Sequence, residues 1–378
     1  MSDRRRFLQS ASALALLGAA FGPRGLRAAE ERWAPYADTI AIDAAGGFGT
    51  WPGNVDGSLT AQAYADARES GLSGVLLTLA PSGRFRFKDA AFEATVKQIA
   101  YWQDQIVQHP DTFTEVRVGA DLARARRERK VGLIYGFQES SPIGEDLDRI
   151  DLFQQLGVRV IQLTHNRRNL VGDGCTEPGD AGLSDFGRDV IERLNAKRVV
   201  VDLAHGGQRT TREAIAASKA PVIISHAGCR ALAELPRNVA DAELRAMADG
   251  GGVIGIVFWP YLNRERQPMA ADVIAHIEHA IKVCGEDHVG IGTDATVSPM
   301  PRTPEFEKEN RGYIDQLIAD GIFEQGRSRD LYLFIPDLNR ARRFEMLALE
   351  LSQRGHSDAR IAKVLGGNFA RVMGEVWG

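Results

Sequence analysis

The chain has 378 residues, 44% of them hydrophobic and 25% charged, with a formal net charge of -4. That is enough apolar material for one large domain or two small ones, and the mild acidity excludes the basic excess by which proteins neutralise phosphates or coat anionic membranes. Nucleic acid is therefore not an expected partner, and the three scattered cysteines, Cys175, Cys229 and Cys284, make neither a disulfide framework nor a CxxC metal motif and read as packing residues.

At the N-terminus, Arg4-Arg5-Arg6-Phe7-Leu8 precedes an Ala/Leu-rich run from Ser10 to Phe21, then Gly22-Pro23 and Leu26-Arg27-Ala28-Ala29. A charged start, a short apolar stretch and a small-residue cleavage region mark an export signal. Paired arginines before Phe-Leu have the form of a twin-arginine signal. The apolar run is shorter than the about 20 residues that span a bilayer, so no stable membrane anchor is expected. Residues 1–29 are accordingly set aside as a signal peptide, with residues 30–378 as the exported, periplasmic domain.

From there, short apolar runs alternate with helix-period segments. The expected strands are Thr39–Ala45, Leu72–Ala80, Lys130–Gln138, Val158–Asn166, Arg198–His205, Pro221–His226, Gly251–Phe258 and His288–Asp294. Helices are expected at Thr60–Ser70, Ala91–Gln108, Gly119–Arg129, Glu145–Leu156, Phe186–Ala196, Gln208–Ser218, Asp241–Asp249 and Ala271–Val283. Runs such as Val199-Val200-Val201 suit strands covered on both faces. Eight βα repeats without a break predict an α/β fold, a closed (β/α)8 TIM barrel, although an open doubly wound sheet shares the local pattern. A polar, Pro-containing segment, Ser298–Phe334, follows, and then two helical stretches, Asp337–Ser352 and Ser357–Met373.

Polar residues gather where the strands end: Thr164-His165-Asn166, Asp202-Leu203-Ala204-His205, Ser225-His226 and Thr293-Asp294. In a barrel these ends open onto one face, so residues distant in sequence converge. Neutral imidazoles suit zinc, and a nearby carboxylate can take a proton from an activated water, so the set points to metal-assisted hydrolysis or to a binding pocket built of the same parts. His109, His276, His279, His288 and His356 fall in helices, connections or a strand start and read as structural.

These blocks, with Leu183-Ser184-Asp185-Phe186-Gly187, Pro236-Arg237-Asn238, Gly290-Ile291-Gly292-Thr293-Asp294 and Gly366-Gly367-Asn368-Phe369, resemble the membrane (renal) dipeptidase family, two-zinc barrel enzymes that hydrolyse dipeptides. The resemblance implies His205 and His226 as imidazole ligands of one metal and Asp294 as catalytic acid/base. It also implies that His165 faces the substrate's oxyanion and Arg237 its carboxylate. Three positions depart from the family pattern. Where its first strand ends in a His-X-Asp pair this chain has Ala45 and Gly47, and the carboxylate that bridges the metals aligns with Gln138, a doubtful ligand beside Glu139.

The resemblance and its departures together imply at most one zinc or other divalent metal per chain and altered or weak hydrolysis of a dipeptide or small amide. The alternatives are a tailoring or accessory protein without peptidase activity, for example in siderophore maturation, or a binding module that needs only Arg237 and His165. A homodimer is left open. Replacing Arg4 and Arg5 with Lys is expected to hold the precursor in the cytoplasm; an unchanged periplasmic yield in cell fractions would exclude the route.

Overall fold

The computed structural model describes residues 32–80 and 89–378, and the expected signal peptide lies outside them. Alternation along each strand sorts the side chains into two layers. On β3 (Val131–Phe137), Leu133, Tyr135 and Phe137 pack outward among the helices, while Ile134 points inward. Its inward partners come from every neighbouring strand: Ile42 of β1 (Ile42–Asp43), Leu76 of β2 (Gly74–Thr78), Val160 of β4 (Val158–Gln162) and Val200 of β5 (Val200–Asp202). Ile223 of β6 (Ile223–Ala227) and Val253 of β7 (Val253–Ile256) continue the ring. At β8 (Val289–Ile291) the inward position is Gly290, where a Cβ would lie 2.4 Å from the ring of Phe369.

The eight strands are parallel and follow one another in chain order. β8 returns to β1 at the C-terminal rim, where Ala44 N donates to Ile291 O at 3.0 Å and Gly46–Gly47 pairs with Ala295–Thr296. The result is the expected (β/α)8 barrel within the compact unit Trp33–Gly378. Its floor is the last helix, Asn368–Trp377, which sends Phe369, Val372, Met373 and Trp377 into the inward ring. Asn368 Nδ2 ties this helix to Val289 O at 2.8 Å, and Trp377 Nε1 donates to Arg159 O at 3.2 Å.

The eight helices expected between strands are present, with ends shifted by a few residues. Ser298–Phe334, expected as a polar segment, contains a helix at Pro304–Ala319: Thr303 accepts from Phe306 N, Pro304 opens the first turn, and Phe306, Ile314 and Leu317 are buried. The run Glu307-Lys308-Glu309-Asn310-Arg311 dilutes that apolar face in the sequence. The helix expected from Asp337 starts at Arg343: Pro336–Leu338 forms only a 3-10 turn that ends at Asn339, whose ψ of 69° is non-helical, and the Asp337 carboxylate accepts from Ala270 N at 2.9 Å. Ser357–Met373 is interrupted at Lys363–Gly367, where a Cβ on Gly366 would meet Ile40 O at 2.6 Å. A short strand, Phe113–Glu115, also pairs with β3. All three cysteines are free thiols, and among the described residues no helix is long and apolar enough to cross a membrane.

Because Phe369 fills the space that Gly290 vacates, Phe369→Ala is expected to cost about 3–5 kcal/mol, the range for deleting a buried ring. Urea denaturation checks this, with Phe369→Leu expected to lose clearly less.

Candidate active site

The barrel delivers the expected site residues to its C-terminal rim. Gln138 directly follows β3, and His165, His205 and Asp294 each sit three residues past the ends of β4, β5 and β8. His226 lies within β6, and Arg237 is in the connection after it. Their side chains meet. The rings of His165 and His205 stack at 4.2 Å, and His205 Nε2 and His226 Nε2 are 3.0 Å apart. Asp294 completes the group: one ligand atom from each of His205, His226 and Asp294 lies within 4.8 Å of the others. The carboxylate expected only as an acid/base thus also stands where the third ligand was undefined.

Hydrogen bonds on the far side of each ring set its protonation. Asn166 Oδ1 takes the Nδ1–H of His205 at 2.8 Å. Ser225 donates its hydroxyl proton to Asp202 Oδ2 at 2.5 Å, so its oxygen accepts from His226 Nδ1 at 2.7 Å. Both Nε2 lone pairs then face each other. Burial, reinforced by the nearby Arg237 charge, holds both imidazoles well below the ordinary histidine range, so neither carries a proton to relieve the contact. A cation does relieve it: two nitrogens about 2.1 Å from a tetrahedral ion lie about 3.4 Å apart, close to the observed spacing.

Two of these residues have left-handed backbones, His205 at φ 62° and Asp294 at φ 55°. For a non-glycine residue this costs about 1–2 kcal/mol, a strain typical of side chains aimed at a site. Asp294 is held there by its N–H to Ala45 O at 2.6 Å and by Trp259 Nε1 on its carbonyl at 2.7 Å. Burial raises the Asp294 carboxyl to about 6, against the opposing pull of Arg237 and of Gln138, whose Nε2 lies 3.4 Å from Oδ1. Gln138 keeps the inward parity of Ile134 and Gly136, so an amide occupies this wall. Glu139 is buried but is not part of the ligand group. Ala45 offers only its backbone, and Gly47 has no atom within 4 Å of where a Cβ would stand.

Arg237 is 5% exposed and donates Nη2 to His226 O at 2.6 Å, while its Nε and Nη1 have no partner among the described residues. It lies over the Tyr261 ring at 5.7 Å and lines a cavity of about 180 Å³ with Leu235, Pro260, Tyr261 and Phe323. Buried guanidinium N–H groups without partners are what a carboxylate satisfies. His165 is held at about 4 by burial and by Arg237, hence neutral.

The residues that sequence reasoning missed are Asn166, Ser225, Asp202, Trp259 and Tyr261. The first three had a signal, since each belongs to the polar groups at the strand ends. The histidines read as structural have structural bonds: His276 accepts from Cys229 N at 2.8 Å, His279 meets Asp241, and His288 donates to Gly252 O.

The model of the membrane dipeptidase family, peptidase family M19, matches residues 54–324. The chain belongs to that family. A curated relative, the dipeptidase verJ of Clonostachys rogersoniana, is 29% identical over 293 residues, 76% of this chain and 67% of its own. This chain therefore spans about two thirds of that relative's length. Among solved structures, an amidohydrolase from Pseudomonas aeruginosa is 31% identical with TM-score 0.76, covering 91% of this chain and 98% of that one. The probable dipeptidase PvdM from Pseudomonas aeruginosa shares the fold at 22% identity and TM-score 0.72, over 91% and 97% of the two chains.

The family's metallohydrolase fold thus carries a carboxyl whose burial is unfavourable. Its pKa of about 6 lies above the about 3.9 of an unfolded Asp, so Asp294 contributes stability that is present below pH 4 and lost as pH rises through 6. In chelator-treated protein, Asp294→Asn is expected to raise the thermal midpoint at pH 7.5 and to leave it unchanged near pH 4. Equal midpoints at both pH values would contradict this.

Proposed function

We propose that this chain is a periplasmic hydrolase of dipeptides or small amides that works with one divalent metal, most simply zinc. The observation that carries this reading is the convergence of two Nε2 lone pairs with the Asp294 carboxylate, beside positions 45 and 47 that offer no side-chain donor. His205, His226 and Asp294 would hold the ion, a donor set and spacing that suit zinc. Bound there, it would supply Lewis-acid polarisation and a more acidic water. A second ion would have to be held by Ala45, Gly47 and Gln138, which provide two missing side-chain ligands and a neutral amide.

The other residues divide the work on the substrate. Arg237 takes the terminal carboxylate on its free Nε and Nη1, which fixes the scissile amide relative to the ligand group. Neutral His165, stacked on His205, donates to the amide oxygen as it gains negative charge. Asp294, ionised beside the ion, would accept the proton of the attacking water on its second oxygen and return it to the leaving amine. A second reading, an accessory or ligand-binding protein without peptidase activity, draws on the same three positions, since a one-metal site forgoes the clamp that stabilises both attacking and departing atoms.

Purified protein is expected to bind at most one equivalent of zinc and to cleave dipeptides orders of magnitude more slowly than the triple variant Ala45→His, Gly47→Asp, Gln138→Glu. The open space at Gly47 favours the rebuilding. Metal analysis and dipeptide turnover on both proteins decide: two tightly held ions in the unmodified chain would contradict the proposal, and one ion with no hydrolysis of any dipeptide would favour the second reading.

A further inference from the structure

Two buried carboxylates, Asp43 and Asp202, are neither ligand candidates nor substrate contacts, yet they make the same set of bonds at two places on the rim. At the end of β1, Asp43 Oδ1 accepts from Ala45 N at 3.2 Å and from Thr293 N at 2.8 Å, and its Oδ2 accepts the Thr293 hydroxyl at 2.6 Å. At the end of β5, Asp202 Oδ1 accepts from Ala204 N at 3.0 Å and from Ser225 N at 2.9 Å, and its Oδ2 accepts the Ser225 hydroxyl at 2.5 Å. In each case the carboxylate grips its own chain two residues on and, across the gap, a hydroxyl residue of the adjacent strand. The residue after that hydroxyl is a ligand candidate: Asp294 follows Thr293, and His226 follows Ser225.

The gripped alanines complete the pattern. Ala45 O receives the N–H of Asp294, and Ala204 directly precedes His205, so all three members of the ligand group are attached to one clamp or the other. Burying a carboxylate is costly, and the bonds made here must offset that cost; a buried apolar side chain would close the same seam without it. What an apolar residue cannot do is fix two backbones and a hydroxyl in a set orientation.

We propose that Asp43 and Asp202 are positioning residues, paired clamps across the β8/β1 and β5/β6 seams that set the spacing of Asp294, His226 and His205 for the metal. The inference rests on the one-metal reading above. It assigns the first strand a role through Asp43 that is independent of the absent side-chain ligands at 45 and 47. A merely structural role for the same bonds would lower stability and leave metal affinity alone.

The test uses zinc competed against a chelator for affinity, and cobalt(II) absorption in the visible for coordination geometry. Thr293→Val removes the hydroxyl of one clamp; Ser225→Ala removes that of the other together with the acceptor for His226 Nδ1, so Asp202→Asn, which leaves Ser225 in place, reads the second clamp itself, while Thr293→Ser and Ser225→Thr keep the hydroxyls. The hydroxyl-less variants are expected to bind zinc about 10–100-fold more weakly, the usual effect of losing a partner behind a ligand, with altered cobalt spectra. The conservative variants should stay within a few-fold of the unmodified protein. Should Thr293→Val fail to fold, Asp43→Asn, which keeps an acceptor for both N–H groups, reads the same clamp. Unmodified zinc affinity and cobalt spectrum in folded hydroxyl-less variants would overturn the clamps; absence of zinc binding in the unmodified protein would instead overturn the one-metal reading.

Discussion

Ala45 O accepts the N–H of Asp294 at 2.6 Å while Asp43 takes both the N–H and the hydroxyl of Thr293, and on these bonds rest both the closure of the barrel and the aim of its one central carboxylate. A parallel sheet closes only if its last strand returns to its first, and here the pairing of β8 with β1 is concentrated at the rim. The same few residues therefore carry fold and site. Below them the ring of inward apolar side chains and the Phe369 plug make the barrel a packed core, so that polar chemistry is confined to the mouth.

At that mouth the electrostatics are unbalanced in the absence of ligands. Two neutral imidazoles present lone pairs to each other, a half-buried carboxyl is pushed up to about 6, and a buried guanidinium has two nitrogens without partners among the described residues. Each imbalance is relieved by a charge of opposite kind: a cation between the imidazoles and the carboxylate, an anion at Arg237. The left-handed backbones of His205 and Asp294 add strain that the surrounding bonds must hold. Sites arranged this way sacrifice stability in the free protein for interactions made on binding.

Much of this was legible beforehand, for specific reasons. Val199-Val200-Val201 and Val222-Ile223-Ile224 suited strands covered on both sides, and eight such runs in alternation with helices left few architectures. His165, His205, His226 and Asp294 were readable because strand ends of a barrel share one face. The helix Pro304–Ala319 escaped because its buried Phe306, Ile314 and Leu317 are separated by charged residues. Asp43 escaped for a different reason: its bonds reach the neighbouring strand, and nothing in a linear sequence reveals that Thr293 stands beside Asp43, 250 residues away; Asp202 was visible in a polar strand end, but its bond to Ser225 was not. Tyr261 and Phe323 became part of the site only through the packing of loops around Arg237.

The central claim is that one divalent ion sits between His205, His226 and Asp294. Anomalous diffraction at the zinc edge, from crystals grown with excess zinc, tests it most directly. The account predicts a single strong peak within bonding distance of both Nε2 atoms and an Asp294 oxygen. Two peaks of comparable height at the barrel mouth, or none between the two imidazoles, would contradict it.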